Sequence, residues 1–457
     1  MNPAQDINFL PFSERLVFIE VFLYVSNAEI GSFVPCILVL AAFCYTLHSI
    51  LSPAFQIQYC LILDNACTQL YESPTIMTLA FLLTTISLCL AISTSNTSPT
   101  RDLAPTIYLP YTSAFSSFST PTIRGSINGI PFTFPIDTGS TGLMIGAPLL
   151  PHIHLDTSST THEPGWQFLS SSSLLYTGRF VPLNITFHGA ARTTAVSTVP
   201  VLVVHTVLKC PGYDTSLNTG VCPSGQSVPS NANISHVTYM GVGFGRNVPG
   251  SGIAFGTPSH NPFLNVVSVN RRAVPGLRTG YTVSTNGVYL GLTWWNTRGA
   301  VWTGLQRGVT GDSRDWAMLD MAFKVDGLDG GDFRGKALVD TGVAQMYLQS
   351  APLGSLPNVS VPVWQESKLE LKERVKPETH LEFAFPDFEN GVAGYDFEVG
   401  DRRFPSQPLY VEPVTSGEGP FVNTGREFLW GFTVAFDAVA GRFGFICARC
   451  MDDRNFL

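Results

Sequence analysis

The sequence predicts an all-β chain of two similar lobes, and three observations carry that expectation. Glycine (41) and proline (32) are abundant among the 457 residues, a composition that favours short strands and turns over helices. Apolar stretches of strand length recur, separated by Gly, Pro, Asn and Ser, while helix signals are few. Two apolar runs end in the same tripeptide: Phe134-Pro135-Ile136-Asp137-Thr138-Gly139-Ser140 and Ala337-Leu338-Val339-Asp340-Thr341-Gly342-Val343. The two aspartates are 203 residues apart, a separation suited to one copy in each lobe.

Taken in order, residues 1–76 are apolar, with Cys36, Cys44, Cys60 and Cys67, and hold neither strand nor helix periodicity. They are expected to be an extension upstream of a true start at Met77, or a membrane-associated leader. Residues 33–51 approach the length of about 20 residues that a bilayer span needs. Residues 77–93 form an uncharged apolar run with a small-x-small end, which predicts a signal peptide cleaved near Ser93, although a basic n-region is missing. Residues 94–105 read as a short polar linker. An N-terminal lobe is expected over 106–274, with strands at 122–130, 133–136, 193–208 and 253–255. A C-terminal lobe is expected over 280–450, with strands at 288–294, 317–325, 336–339, 381–384 and 432–445, and a short helix at 426–431.

A carboxylate at the edge of a core is costly unless compensated. One Asp-Thr-Gly after a strand is usually a turn. Two with matched flanks imply that the carboxylates meet in the cleft between the lobes. A pair within hydrogen-bond reach shares a proton and titrates as a unit. The ionised member can take a proton from water while the protonated one polarises a carbonyl. Gly139, Gly142 and Gly342 permit tight turns and close backbone approach. Thr138 and Thr341 carry hydroxyls suited to bracing the two loops against each other.

These residues resemble the active-site loops of pepsin-like aspartic endopeptidases. Asp137-Thr138-Gly139-Ser140 with Thr141-Gly142-Leu143-Met144 is similar to the first loop, and Asp340-Thr341-Gly342 to the second. The segment 239–245 resembles the hydrophobic-hydrophobic-Gly element that supports the first loop, and 428–445 resembles the closing strands of the second lobe. The resemblance runs from about Ile107 to about Ala448 and suggests a divergent, secreted, fungal-type member. It implies a bilobal fold of two β-barrel-like lobes with an inter-lobe cleft, and hydrolysis of peptide bonds at acid pH by a water-activating dyad of Asp137 and Asp340. Thr138, Gly139, Ser140, Thr341, Gly342 and Val343 would support the dyad. It further implies a flap near 170–178, for which Tyr176 is the candidate tyrosine and Ser171 aligns as well by spacing.

Four departures from the pattern bear on activity. Val343 stands where the family usually has a hydroxyl residue, so Asp340 is expected to lack a donor. Met144 replaces a frequent Trp, Asn423-Thr424-Gly425 is a polar version of the second supporting element, and no long basic propeptide precedes the first lobe. Val343, Met144, the missing propeptide and a flap position shared between Tyr176 and Ser171 motivate the alternative of a weak or inactive homologue that binds a protein or peptide in the same cleft.

A net charge of −8 without a basic run argues against nucleic acid. Cys210, Cys222, Cys447 and Cys450 fit two disulfides of an oxidising compartment. Cys210 with Cys222 would staple a hairpin, while Cys447 and Cys450 could pair with each other or elsewhere. Their spacing is poor for zinc, so no metal and no cofactor is expected. Sequons at Asn96, Asn184, Asn233 and Asn358 allow N-glycosylation. The nine histidines sit singly, without a Ser/His/Asp arrangement. Trp294, Trp295 and Trp302 are expected in packing, and the charge run 368–376 on a solvated loop or edge. The expected partner is an extended peptide or protein substrate. The chain is expected to be a secreted monomer, membrane-bound only if 33–51 is a true anchor.

Overall fold

Apolar runs broken by turn residues fold here as β-structure, and the computed structural model is 50% strand and 6% helix. It describes residues 105–448 apart from 154–161, 170–171, 215–219, 226, 230–232, 247–255, 329–330, 351–355, 366–367, 404 and 416–418. The expectations for residues 1–104, for Ser171, for a strand at 253–255 and for Cys450 lie outside the described residues. Residues 100–457 form a compact unit of their own.

Three large sheets make up that unit. The first has ten strands and is drawn from residues 122–273. Its long hairpin, Leu174–His188 with Thr194–Lys209, pairs outward to Thr122–Ile127 and Ile130–Pro135 on one side and Val266–Val269 on the other. The second has seven strands in the order Ala393–Glu398, His380–Phe385, Leu319–Val325, Phe333–Leu338, Phe421–Asn423, Met346–Gln349, Val411–Pro413. The third has six strands and joins Ile107–Pro110 to Gly287–Leu290, Gly280–Val283, Phe432–Asp437, Arg442–Cys447 and Val301–Gly304. Apolar side chains such as Phe134, Phe187, Phe323 and Phe436 are fully buried in one continuous core.

The stretch expected as one strand at 122–130 is two strands, because Asn128 (φ 50°) and Gly129 (φ 80°) take the left-handed conformation that a tight hairpin turn requires. Likewise 432–445 is a hairpin turned at Gly441 (φ 64°), and the short helix covers Phe428–Gly431 only. The charge run is a strand, Lys368–Val375, paired with Asn358–Gln365 in a two-stranded ribbon. Trp294 and Trp295 are not packing residues. They are 55% and 61% exposed and lie edge to face on each other. Trp302 is half-buried with the Arg442 guanidinium over its ring.

A disulfide joins Cys210 to Cys222, as expected. Cys447 is also disulfide-bonded, but a pairing with Cys450 falls outside the described residues. Among the described residues no helix is long and apolar enough to cross a membrane, and no cluster of metal-ligating side chains forms.

Candidate active site

Each Asp-Thr-Gly links two strands, between which a third strand from much later in the sequence inserts. In the first copy the loop joins Ile130–Pro135 to Thr141–Gly146. The inserted strand Thr238–Val242 runs antiparallel to Thr141–Gly146 and bridges in parallel to Asp137 through Gly241. In the second copy the loop joins Phe333–Leu338 to Met346–Gln349. Here Phe421–Asn423 pairs in parallel with the former and antiparallel with the latter. The two loops are thus held by the same topology, and the aspartates come together.

The bracing is reciprocal. Thr138 N–H donates to Thr341 Oγ1 at 3.0 Å, and Thr341 N–H donates to Thr138 Oγ1 at 3.0 Å. The two hydroxyls in turn donate across the site to carbonyls, Thr138 to Val339 at 2.6 Å and Thr341 to Ile136 at 2.5 Å. All four partners are buried, where an unmade hydrogen bond would be expensive. Both glycines allow contact that no other residue permits. A Cβ on Gly139 would lie 2.2 Å from Asp340 Cγ, and one on Gly342 would lie 2.6 Å from Asp137 Oδ1.

Asp137 and Asp340 are 8% and 6% exposed. Asp137 Oδ1 accepts from Gly139 N–H at 2.7 Å, and its Oδ2 accepts from Ser140 Oγ at 2.7 Å and from the Tyr239 hydroxyl at 2.5 Å. Tyr239 Oη also lies 2.6 Å from Ser140 Oγ, which closes a triangle of two hydroxyls and one carboxyl oxygen. Asp340 Oδ1 accepts from Gly342 N–H at 2.7 Å and Oδ2 from Asn423 Nδ2 at 2.6 Å. Burial, and then the negative charge of Asp137, push the Asp340 carboxyl up to about 7, against the opposing donors Asn423 and Gly342. The neutral form of the Asp340 carboxyl is thereby favoured.

Compared with known proteins, the chain matches no family model, and no curated protein is significantly similar to it.

Thr138, Gly139, Ser140, Thr341 and Gly342 surround the two carboxyls. Val343 is different. Its carbonyl accepts from Arg426 Nε at 3.1 Å, and the donor that Asp340 was expected to lack is the Asn423 amide. Tyr239 is likewise more than an apolar support. Both residues occupy the first position of an x-x-Gly segment, Tyr239-Met240-Gly241 and Asn423-Thr424-Gly425. The polar character shared by these matched positions is the signal that points to them. Arg426, 4% exposed, was also missed. It donates to the Gly342 carbonyl at 2.8 Å and to Thr120 Oγ1 at 3.2 Å, and so ties the second loop to the first half of the chain.

The hairpin Pro164–Leu169 with Leu174–His188 occupies the expected flap segment. Tyr176 lies on its returning strand. Its ring packs with Met144, Leu202, Val204 and Val207, the same apolar cluster that Tyr239 adjoins.

Proposed function

We propose that the chain is an aspartic-type endopeptidase of divergent pepsin-like fold, acting on extended peptides at acid pH. The observation that carries this reading is the buried Asp137–Asp340 pair, cross-braced by Thr138 and Thr341, with the Asp340 carboxyl held above its ordinary range by burial and the charge of Asp137. The sheets built from the two halves of the sequence correspond in this reading to two lobes, and the cleft lies where the Asp loops face each other.

In the proposed reaction, a water held between the carboxyls gives a proton to Asp137 and attacks the scissile carbonyl carbon. Asp340 donates its proton to the carbonyl oxygen as that oxygen gains charge. The resulting tetrahedral diol collapses, the C–N bond breaks, and the amine nitrogen leaves with the proton held by Asp137. A diol hydroxyl returns its proton to Asp340, restoring the starting pair. The chemistry needs no covalent enzyme intermediate. The Cys210–Cys222 disulfide supports a secretory destination.

A second reading, a binding protein that keeps the cleft without turnover, is favoured by two observations. Both oxygens of Asp137 already accept protein hydrogen bonds, and Tyr176 packs into an apolar cluster. Protein beginning after Ser93 should digest denatured protein at acid pH, and a statine-type inhibitor should stop it. Asp137→Asn should abolish cleavage. Absence of cleavage at every acid pH by folded protein would sink the enzyme reading, and a partner retained by Asp137→Asn would favour the second.

A further inference from the structure

We propose that Tyr239 and Asn423 are positioning residues that divide the proton of the dyad unequally, the phenol holding Asp137 as the anion and the amide setting the ease with which Asp340 ionises. The proposal rests on the peptidase reading for its meaning in catalysis, but not for its test.

The donor sets of the two carboxyls are unequal. Oδ2 of Asp137 takes two hydroxyl donors, Ser140 at 2.7 Å and Tyr239 at 2.5 Å, whereas Oδ2 of Asp340 takes one amide. Each donor favours the charged form of the group it reaches. The Tyr239 phenol cannot relieve Asp137 by giving up its own proton. Burial, followed by the charge of Asp137, holds its pKa well above the usual range. It remains an O–H donor across the acid and neutral range. Asn423 carries no titratable proton, so its contribution to Asp340 is also constant with pH.

The side chains are placed rigidly. Tyr239 pairs across its strand with Met144, which is 1% exposed, and Asn423 is itself 8% exposed, in register with Leu338 and Tyr347. Asn423 is fixed further because its Oδ1 accepts Gly425 N–H at 3.0 Å, which orients Nδ2 toward Asp340. Charged and titratable groups facing the dyad and its donors are Arg426, Glu427 behind it, and Tyr347 on the strand beside Asn423. None of these donates to Oδ2 of either aspartate among the described residues.

The two donors act on different ionisations. Loss of the phenol makes the first ionisation of the pair harder, and loss of the amide makes the second harder. The test follows both ionisations by carboxyl carbon NMR of protein labelled at Asp, with signals assigned from Asp137→Asn and Asp340→Asn. Tyr239→Phe, which removes one oxygen, should raise the lower ionisation by about one pH unit and leave the upper unchanged. Asn423→Leu should raise the upper by about the same amount and leave the lower unchanged, with Asn423→Ala in its place if the leucine form does not fold. A pH–rate profile should show the same shifts, Tyr239→Phe on its acid limb and Asn423→Leu on its neutral limb. Movement of both ionisations together, or of neither, overturns the proposal. If the carboxyls shift as stated while no form cleaves peptide, the assignment stands and the peptidase reading fails.

Discussion

Nδ2 of Asn423 lies 2.6 Å from Oδ2 of Asp340, a hydrogen bond between residues 83 apart in sequence. It supplies the second aspartate with the donor that the Val343 position withholds. From the sequence alone, Val343→Thr is expected to raise activity by restoring a hydroxyl. With Asn423 in place that gain is no longer expected. Val343→Thr should change acid-pH hydrolysis by less than about threefold, because the net gain of a hydrogen bond at Oδ2 is already made. A large gain in rate, measured on a fluorogenic peptide, would show that Asn423 does not satisfy this oxygen.

Thr138 and Thr341 should behave as a coupled unit. Either Thr→Val change keeps the shape but removes one hydroxyl, orphaning a buried N–H and a buried carbonyl of the opposite loop: Thr341 N–H and the Val339 carbonyl for Thr138→Val, Thr138 N–H and the Ile136 carbonyl for Thr341→Val. Each should cost about 2–6 kcal/mol, from about 1–3 kcal/mol for each of two unsatisfied groups. The double variant should cost less than the sum, since the two hydroxyls lie 3.3 Å apart and brace the same pair of loops. Urea denaturation of the four proteins measures the coupling, and strict additivity would contradict it.

Gly139→Ala should abolish the site while leaving most of the fold intact. The added methyl would meet Asp340 Cγ at 2.2 Å, far inside contact distance. Relief requires moving one Asp loop away from the other, which breaks the threonine brace. A fall in hydrolysis of more than about 10²-fold is expected, the scale of a misplacement of roughly 1 Å. Retention of normal activity would mean that the loops are further apart than described.

Stability should fall as pH rises from about 4 toward 7. Glu427, 1% exposed, is pushed up to about 7 by burial, against the pull of its own backbone N–H and of Arg426. Asp340 is raised to about 7 for the reasons given above. Both folded values exceed the ordinary 4.5 and 3.8, so through these two groups the folded state binds more protons in this window than the unfolded chain, outweighing His260, which burial lowers to about 4 and which acts in the opposite sense. Unfolding free energy then declines with pH by about 1.4 kcal/mol per unit for each retained proton, and levels off above the folded values. Glu427→Gln should remove part of that slope. Urea titrations at several pH values decide it, and a stability that rises between pH 5 and 7 would refute the assignment.

Composition and punctuation were enough to determine an all-β chain. The repeated Asp-Thr-Gly was enough to single out Asp137, Asp340 and the residues that support them. These signals are local, since strand propensity, turn residues and a tight loop are written in contiguous residues. The Cys210–Cys222 staple was legible for the same reason, being short-range. Contacts between distant strands were not legible. Whether Tyr239 presents a ring or a hydroxyl to the dyad depends on its register against Met144, and whether Asn423 meets Asp340 depends on its register against Leu338. Arg426 reaches Thr120 from 306 residues away. Apolarity alone also could not place Trp294 and Trp295, because an apolar side chain is buried only where a neighbouring element covers it. The tertiary structure therefore decided which polar groups complete the dyad, because a buried carboxyl takes its donors from whatever the strand register brings within hydrogen-bond distance.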